Sequence, residues 1–218
     1  MTDNNDPYSQ STFTGYSLWL VPTRQEEVNI LKDGMQHIRQ QVHADISAPF
    51  EPHVTLLSGL NEEDGWTADK IWHAFKGAGQ RWASNTKGVL SLKLEEVTTR
   101  GLYFQCILIA LEKTSELLSI NAYMRDAFNA HDQPPYFPHC SLLYGHLTKE
   151  QMQQTIQSLK QGDRPLYHET GKGIAFGISD SGKNPIKQIE LGAVELWNTN
   201  GSVADWKRVH RINLSDLR

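Results

Sequence analysis

Residues 52–59 read Pro52-His53-Val54-Thr55-Leu56-Leu57-Ser58-Gly59, and residues 138–145 read Pro138-His139-Cys140-Ser141-Leu142-Leu143-Tyr144-Gly145. Both fit P-H-x-[ST]-L-L-x-G, and the two histidines stand 86 residues apart. The bare H-x-[ST] element carries little, since 9 His and 29 Ser plus Thr in 218 residues give about one match by chance. It occurs at His53, His139, His146 and His168. Only the first two have the flanking Pro, the Leu pair and the Gly. His146 reads as the beginning of a helix and His168 as part of a polar loop, so both are set aside.

Each copy reads as a short strand, in which successive side chains alternate faces. His53, Thr55 and Leu57 are then expected on one face, with Val54 and Leu56 on the other. His139, Ser141 and Leu143 repeat the pattern. Each strand thus presents an imidazole and a hydroxyl about 7 Å apart along the backbone. Two such strands facing one groove supply two imidazoles, which exchange protons near neutral pH, and two hydroxyls able to donate to a tetrahedral anion. In-line displacement at phosphorus needs a base on the water and an acid on the leaving oxygen, which is what two histidines on opposite walls provide. Zinc usually takes three or four protein ligands. No third His, Cys or acid recurs with the repeat, so no metal and no cofactor is expected. Cys140 falls on the face opposite His139 and reads as a small core residue. Cys106 has no base beside it in sequence and reads as buried.

Working outward, residues 16–21 read as a strand closed by Pro22. Residues 23–43 read as a helix, with Thr23 as N-cap and Glu26 completing a capping box. Helices are also expected over residues 67–83, 112–129 and 147–159, the last capped by Thr148 with Gln151 three residues on. Residues 89–98 alternate as a half-buried strand does, and residues 102–111 form a longer apolar run suited to a central strand. Strand-like pieces follow at 174–178, 186–196 and 209–214. The order β-α-β-α-ββ-α-β-α-βββ predicts an α+β fold with antiparallel or mixed sheets. Residues 1–14 lack periodicity and read as a flexible N-terminal tail, leaving residues 15–218 as one domain.

Composition narrows the function. The chain has 21 Lys plus Arg against 25 Asp plus Glu, a net charge of −4. That balance argues against a long nucleic-acid partner, whose binding rests on clustered cations. No apolar run approaches a membrane span, and residues 1–15 show no apolar signal segment. Two cysteines are too few for a disulfide scaffold. A cytoplasmic monomer acting on a small molecule is the expectation.

The paired motifs resemble those of the 2H phosphoesterases. Within that superfamily the chain is similar to the plant and fungal cyclic phosphodiesterases. Shared features are the stretch from Tyr16 to Pro22, Phe50-Glu51-Pro52-His53-Val54-Thr55, Phe104-Gln105-Cys106 and the second motif through Gly145. The resemblance implies a bilobal, pseudo-symmetric α+β fold, with two sheets flanking a central cleft and helices outside. It implies metal-independent hydrolysis of ADP-ribose 1″,2″-cyclic phosphate and of nucleoside 2′,3′-cyclic phosphates, downstream of tRNA splicing. Carried over by position, His53 and His139 form the general acid/base pair, and Thr55 and Ser141 hold the phosphate. Tyr144 and Trp19 are candidates for the substrate wall. Beside this reading stand an RNA-end or 2′-5′ phosphodiesterase and a non-catalytic nucleotide-binding module. No Arg adjoins either motif, and Glu51 and the acidic stretch 61–67 would repel a phosphate unless they point away.

Overall fold

The strand Tyr16–Pro22 (β1) is buried along its whole length because both of its faces are covered. Leu18 and Leu20 enter the main core. Trp19 and Val21, pointing the other way, join Ala193 in a separate apolar cluster. The computed structural model describes residues 11–83, 88–178 and 184–217. Of the expected tail, residues 1–10 lie outside the described residues, while Phe13 forms a bridge with Gly201.

After β1 come α1 (Gln25–Gln41), β2 (Asp45–Ile46), β3 (Val54–Leu60), α2 (Ala68–Ala83), β4 (Leu90–Thr98), β5 (Ile107–Leu111) and α3 (Ser115–Phe128). The chain continues through β6 (His139–Leu143), β7 (Gly145–His146), α4 (Lys149–Gln161), β8 (Tyr167–Thr170), β9 (Gly173–Phe176), β10 (Gln188–Asn198) and β11 (Lys207–Asn213). The class is α+β with antiparallel pairing, as expected. The main sheet runs β1-β3-β6-β5-β4-β10-β11. Because β1 also pairs with β10, six of its strands close a circuit, and the strands of the two halves are joined in one sheet. β10 makes the closure by its length: Gln188 to Leu191 pair with β4, and Leu191 to Asn198 pair with β1. Helix α1 lies against β6 and β1, α3 against β3, α2 against α3 and β10, and α4 against α1 and β8. Their apolar faces, including Leu31, Ile38, Ile71, Phe75, Ile120 and Leu159, share one core with the inward residues of the strands.

Four local expectations are corrected. Thr23 does not cap α1: its N–H donates to Glu190 O at 3.3 Å, continuing the sheet, and the helix begins after Arg24 with no side-chain cap. The apolar run 102–111 is strand only from Ile107, since Tyr103–Gln105 is one turn of 3-10 helix. His146 lies in β7, paired with Asp45, and not in a helix. His168 lies in β8, paired with Ala175, and not in a loop. The Thr148 capping box on α4 forms as expected, with Gln151 Oε1 accepting from the Thr148 N–H at 2.7 Å.

Candidate functional site

The two motif strands meet at a single register pair, Val54 opposite Cys140. In an antiparallel pair the neighbours of that position cross. In that register His53 falls next to Ser141, and Thr55 next to His139. Beyond the pair, β3 leaves β6, and its carbonyls are satisfied by side chains instead. Tyr136 Oη donates to Thr55 O at 3.0 Å, Asn121 Nδ2 to Leu56 O at 2.8 Å, and Gln133 Nε2 to Ser58 O at 2.9 Å.

Simple alternation fails within each motif, and in the same place. The register of β3 against β1 slips between Leu57 and Thr55. The register of β6 against β5 slips between Leu143 and Ser141. One extra residue at that point in each strand reverses the facing of the residues next after it, and β3 takes a second between Leu57 and Leu60. Leu57 and Leu143, expected on the histidine face, turn into the core. Ser58 and Tyr144, the equivalent positions of the two copies, turn instead to the cleft. Tyr144 thus comes to the site through a bulge.

The histidines are held alike. His53 Nδ1 lies 2.7 Å from Glu51 O, and His139 Nδ1 lies 2.8 Å from Phe137 O. A carbonyl oxygen only accepts, so each Nδ1 carries the proton and each Nε2 is left for other partners. Both rings line one cavity of about 130 Å³ with Thr55, Ser58 and Tyr144. Tyr144 Oη sits 3.4 Å from His53 Nε2. Burial pushes its phenol above the ordinary range, which keeps it an O–H donor toward that nitrogen. Ser141 is buried, and its hydroxyl donates to Phe104 O at 3.3 Å. Of the six residues singled out by sequence, Trp19, His53, Thr55, His139 and Tyr144 line the cavity, and Ser141 does not.

Burial disfavours charge on both rings. His53, only 4% exposed, is lowered to about 4, chiefly by burial, with the Glu51 carbonyl opposing and His139 adding to the effect. His139 is also lowered, by burial first, with the Phe137 carbonyl opposing and the charge of Arg100 adding to the effect. Arg100 sits 4.8 Å over the Phe137 ring, which itself stacks beside His139 at 5.5 Å. This is a cation near the second motif that adjacency in sequence did not reveal. None of the acidic residues lines this cavity. Glu51 pairs with Lys32 of α1 at 2.7 Å, and none of residues 61–67 lines the cavity. Glu62 instead accepts from Tyr16 Oη at 3.0 Å.

Sequence reasoning missed Phe13, Ser17, Phe104, Gln105, Thr199 and Trp206 around the same cavity. They come from four separate segments, and no local pattern joins them. Ser58 did leave a signal, as the counterpart of Tyr144 in the repeat. Among the described residues no group of three His, Cys, Asp or Glu is placed to hold a metal ion. Cys106 and Cys140 are buried free thiols, each pushed up to about 12 by burial. No helix among the described residues is long and apolar enough to cross a membrane.

Paired strands that bring two H-x-[ST] units into one cleft, in this α+β frame, define a 2H phosphoesterase. The comparisons with known proteins agree. Residues 14–214 match the profile of the cyclic phosphodiesterase-like proteins. A cyclic phosphodiesterase of Arabidopsis thaliana is 29% identical over 165 residues, covering 75% of this chain and 81% of its own. Among solved structures, the protein TT0787 of Thermus thermophilus superposes with a TM-score of 0.54 at 12% identity, covering 92% of this chain and 97% of its own. Apo E. coli LigT superposes at 0.52 with 11% identity, covering 93% and 98%. The chain belongs to the cyclic phosphodiesterase-like family. It is a phosphodiester hydrolase, and cyclic phosphodiesters are its substrate class.

Proposed function

We propose that the chain opens ADP-ribose 1″,2″-cyclic phosphate to ADP-ribose 1″-phosphate, and nucleoside 2′,3′-cyclic phosphates to nucleoside 2′-phosphates. It acts by two-histidine general acid/base catalysis without a metal, downstream of tRNA splicing. The observation that carries this reading is the matched pair of imidazoles on one cavity, each with Nδ1–H given to the carbonyl two residues before it. E. coli LigT, which shares the fold, has been crystallised with 3′-AMP.

Water attacks phosphorus in line with the ribose oxygen that leaves. One Nε2 takes the water proton as the new P–O bond forms. The other Nε2 gives its proton to the departing oxygen as the old P–O bond breaks. His53, held neutral by burial, is the base, and His139 is the acid. Thr55 and Ser141 hold the non-bridging oxygens, the latter once its hydroxyl turns from Phe104 O. Tyr144 and Trp19 wall the ring of the substrate. Domain 15–218 acts as a monomer in the cytoplasm.

The test is hydrolysis of both substrate types with EDTA present, by wild type, His53→Ala and His139→Ala. Turnover in EDTA, abolished by either substitution, is expected. Loss of wild-type turnover on chelation, restored by one metal, would overturn the metal-free mechanism. Binding of cyclic phosphate with no hydrolysis would make the cleft a binding site only.

A further inference from the structure

A second and larger cavity, about 850 Å³, opens between α1 and the β10–β11 connection. It shares Trp19 and Trp206 with the catalytic cavity as a common wall. The catalytic cavity, at about 130 Å³, has room for a cyclic phosphate and little of what the phosphate is attached to. The neighbouring space is therefore where the rest of a substrate would go.

The lining of that space is chemically selective. Phe50, Trp197 and Trp206 present half-buried aromatic rings to it. Trp197 is fixed in two ways. It stacks on Trp19 at 4.5 Å, and its Nε1–H donates to Glu195 Oε2 at 2.8 Å. Glu195 is itself neutralised by Arg208 and Arg211, so it does not oppose an anion there. On α1, Lys32 is already matched by Glu51. Arg39 is different. It lines the same space, and its Nη1 is shielded from solvent with no hydrogen-bond partner. An unsatisfied guanidinium nitrogen and indole rings on the lining of one cavity suit an anion joined to a flat ring, because guanidinium pairs strongly with phosphate and indole stacks on bases.

We propose that this cavity is a subsite for the nucleotide portion of the substrate beyond its cyclic phosphate, with a second phosphate on Arg39 and a base against Trp197 and Trp206. The proposal rests on the reading of the catalytic cleft given above. The same chemistry arises from a diphosphate-linked nucleoside or from the penultimate nucleotide of an RNA end.

The test compares kcat/KM on three substrates: a mononucleoside 2′,3′-cyclic phosphate, ADP-ribose 1″,2″-cyclic phosphate, and an adenylyl dinucleotide ending in a 2′,3′-cyclic phosphate. Arg39→Gln should lower the preference for a two-phosphate substrate over the mononucleotide by about tenfold or more, the scale of a charge-assisted hydrogen bond. The substrate arm that falls identifies the source. Arg39→Lys should recover part of the preference. Gln36→Glu, at an exposed position lining the same cavity, sets a like charge against the phosphate without truncating packed atoms and should act in the same direction. An unchanged preference in Arg39→Gln and Gln36→Glu, in both arms, overturns the subsite. Calorimetric titration of the intact protein with ADP separates this from the catalytic proposal. Binding weakened about tenfold by Arg39→Gln supports the subsite even if no cyclic phosphate is hydrolysed, and binding that is absent or indifferent to Arg39 overturns it.

Discussion

The imidazole of His53 lies flat on the indole of Trp19, with 3.6 Å between ring centroids and 8° between planes. Trp19 in turn rests on Trp197, so the ring is one end of an aromatic stack running away from the cleft. With its other edge near Tyr144 and its Nδ1–H given to Glu51 O, His53 is walled from the solvent that would stabilise a charge. A folded pKa of about 4 against an ordinary 6.5 means that the unfolded chain binds a proton which the folded chain refuses. Stability from this group is therefore whole above pH 6.5 and falls as the pH drops from 6.5 toward 4, by roughly 3 kcal/mol across the window. Denaturant unfolding at several pH values checks this. His53→Gln should flatten that part of the curve, and a variant as acid-sensitive as wild type would contradict the burial argument.

Activity should follow the same two rings. With the proposed roles the base must be neutral and the acid protonated, so kcat/KM should be bell-shaped in pH and report the free enzyme. Its acid limb is set by His53, near pH 4. Its alkaline limb is set by His139, whose pKa lies below the ordinary histidine value through burial and the Arg100 charge. The maximum is expected on the acid side of pH 6.5. Arg100→Gln removes a charge that disfavours imidazolium and should move the alkaline limb upward. A single-limbed profile, or a limb indifferent to Arg100, would count against the paired roles.

The roles themselves separate by leaving group. Alanine at either histidine should lower kcat on a cyclic phosphate by about 10²- to 10⁴-fold, the usual scale for a positioned acid or base. A phosphodiester with a p-nitrophenolate leaving group needs no proton on departure. On that substrate His139→Ala should keep most of wild-type turnover and His53→Ala should not. The reverse pattern would exchange base and acid.

Much of this geometry was legible in the repeat, because two copies of one eight-residue pattern are hard to obtain by chance. His53, Thr55 and His139 reach the cavity as strand alternation requires. Leu57 and Leu143 do not follow it, since alternation assumes an unbroken register and a bulge is a matter of pairing between strands. That slip is also what brings Ser58 and Tyr144 to the cleft. Phe13, Phe104 and Trp206 meet there only through the closing of β1 on β10 and the return of the chain after β10. Arg100 reaches His139 across the Phe137 ring, a contact between segments far apart in sequence. The apolar run 102–111 misled because Tyr103 is buried from a turn of 3-10 helix, and its burial reads in sequence like that of a strand residue.

Asn121 holds the bulged segment of β3 from α3. It is buried on α3, donates to Leu56 O at 2.8 Å, and accepts from Arg125 Nε at 3.0 Å. β3 pairs with β6 only at Val54 and Cys140, so Leu56 lies past the end of that ladder. Asn121→Ala leaves a buried carbonyl unpaired and should cost about 1–3 kcal/mol of stability. It also frees the segment that aims Thr55 and Ser58, so kcat/KM on a cyclic phosphate should fall well beyond the loss from Ser58→Ala alone. Asn121→Asp removes the donor but keeps the size and the Arg125 partner. It should therefore reproduce the catalytic defect, because the bulge loses its support either way. Denaturant midpoints and kcat/KM for the three variants decide the matter, and an Asn121→Asp enzyme as active as wild type would show that the Leu56 carbonyl does not govern the cleft.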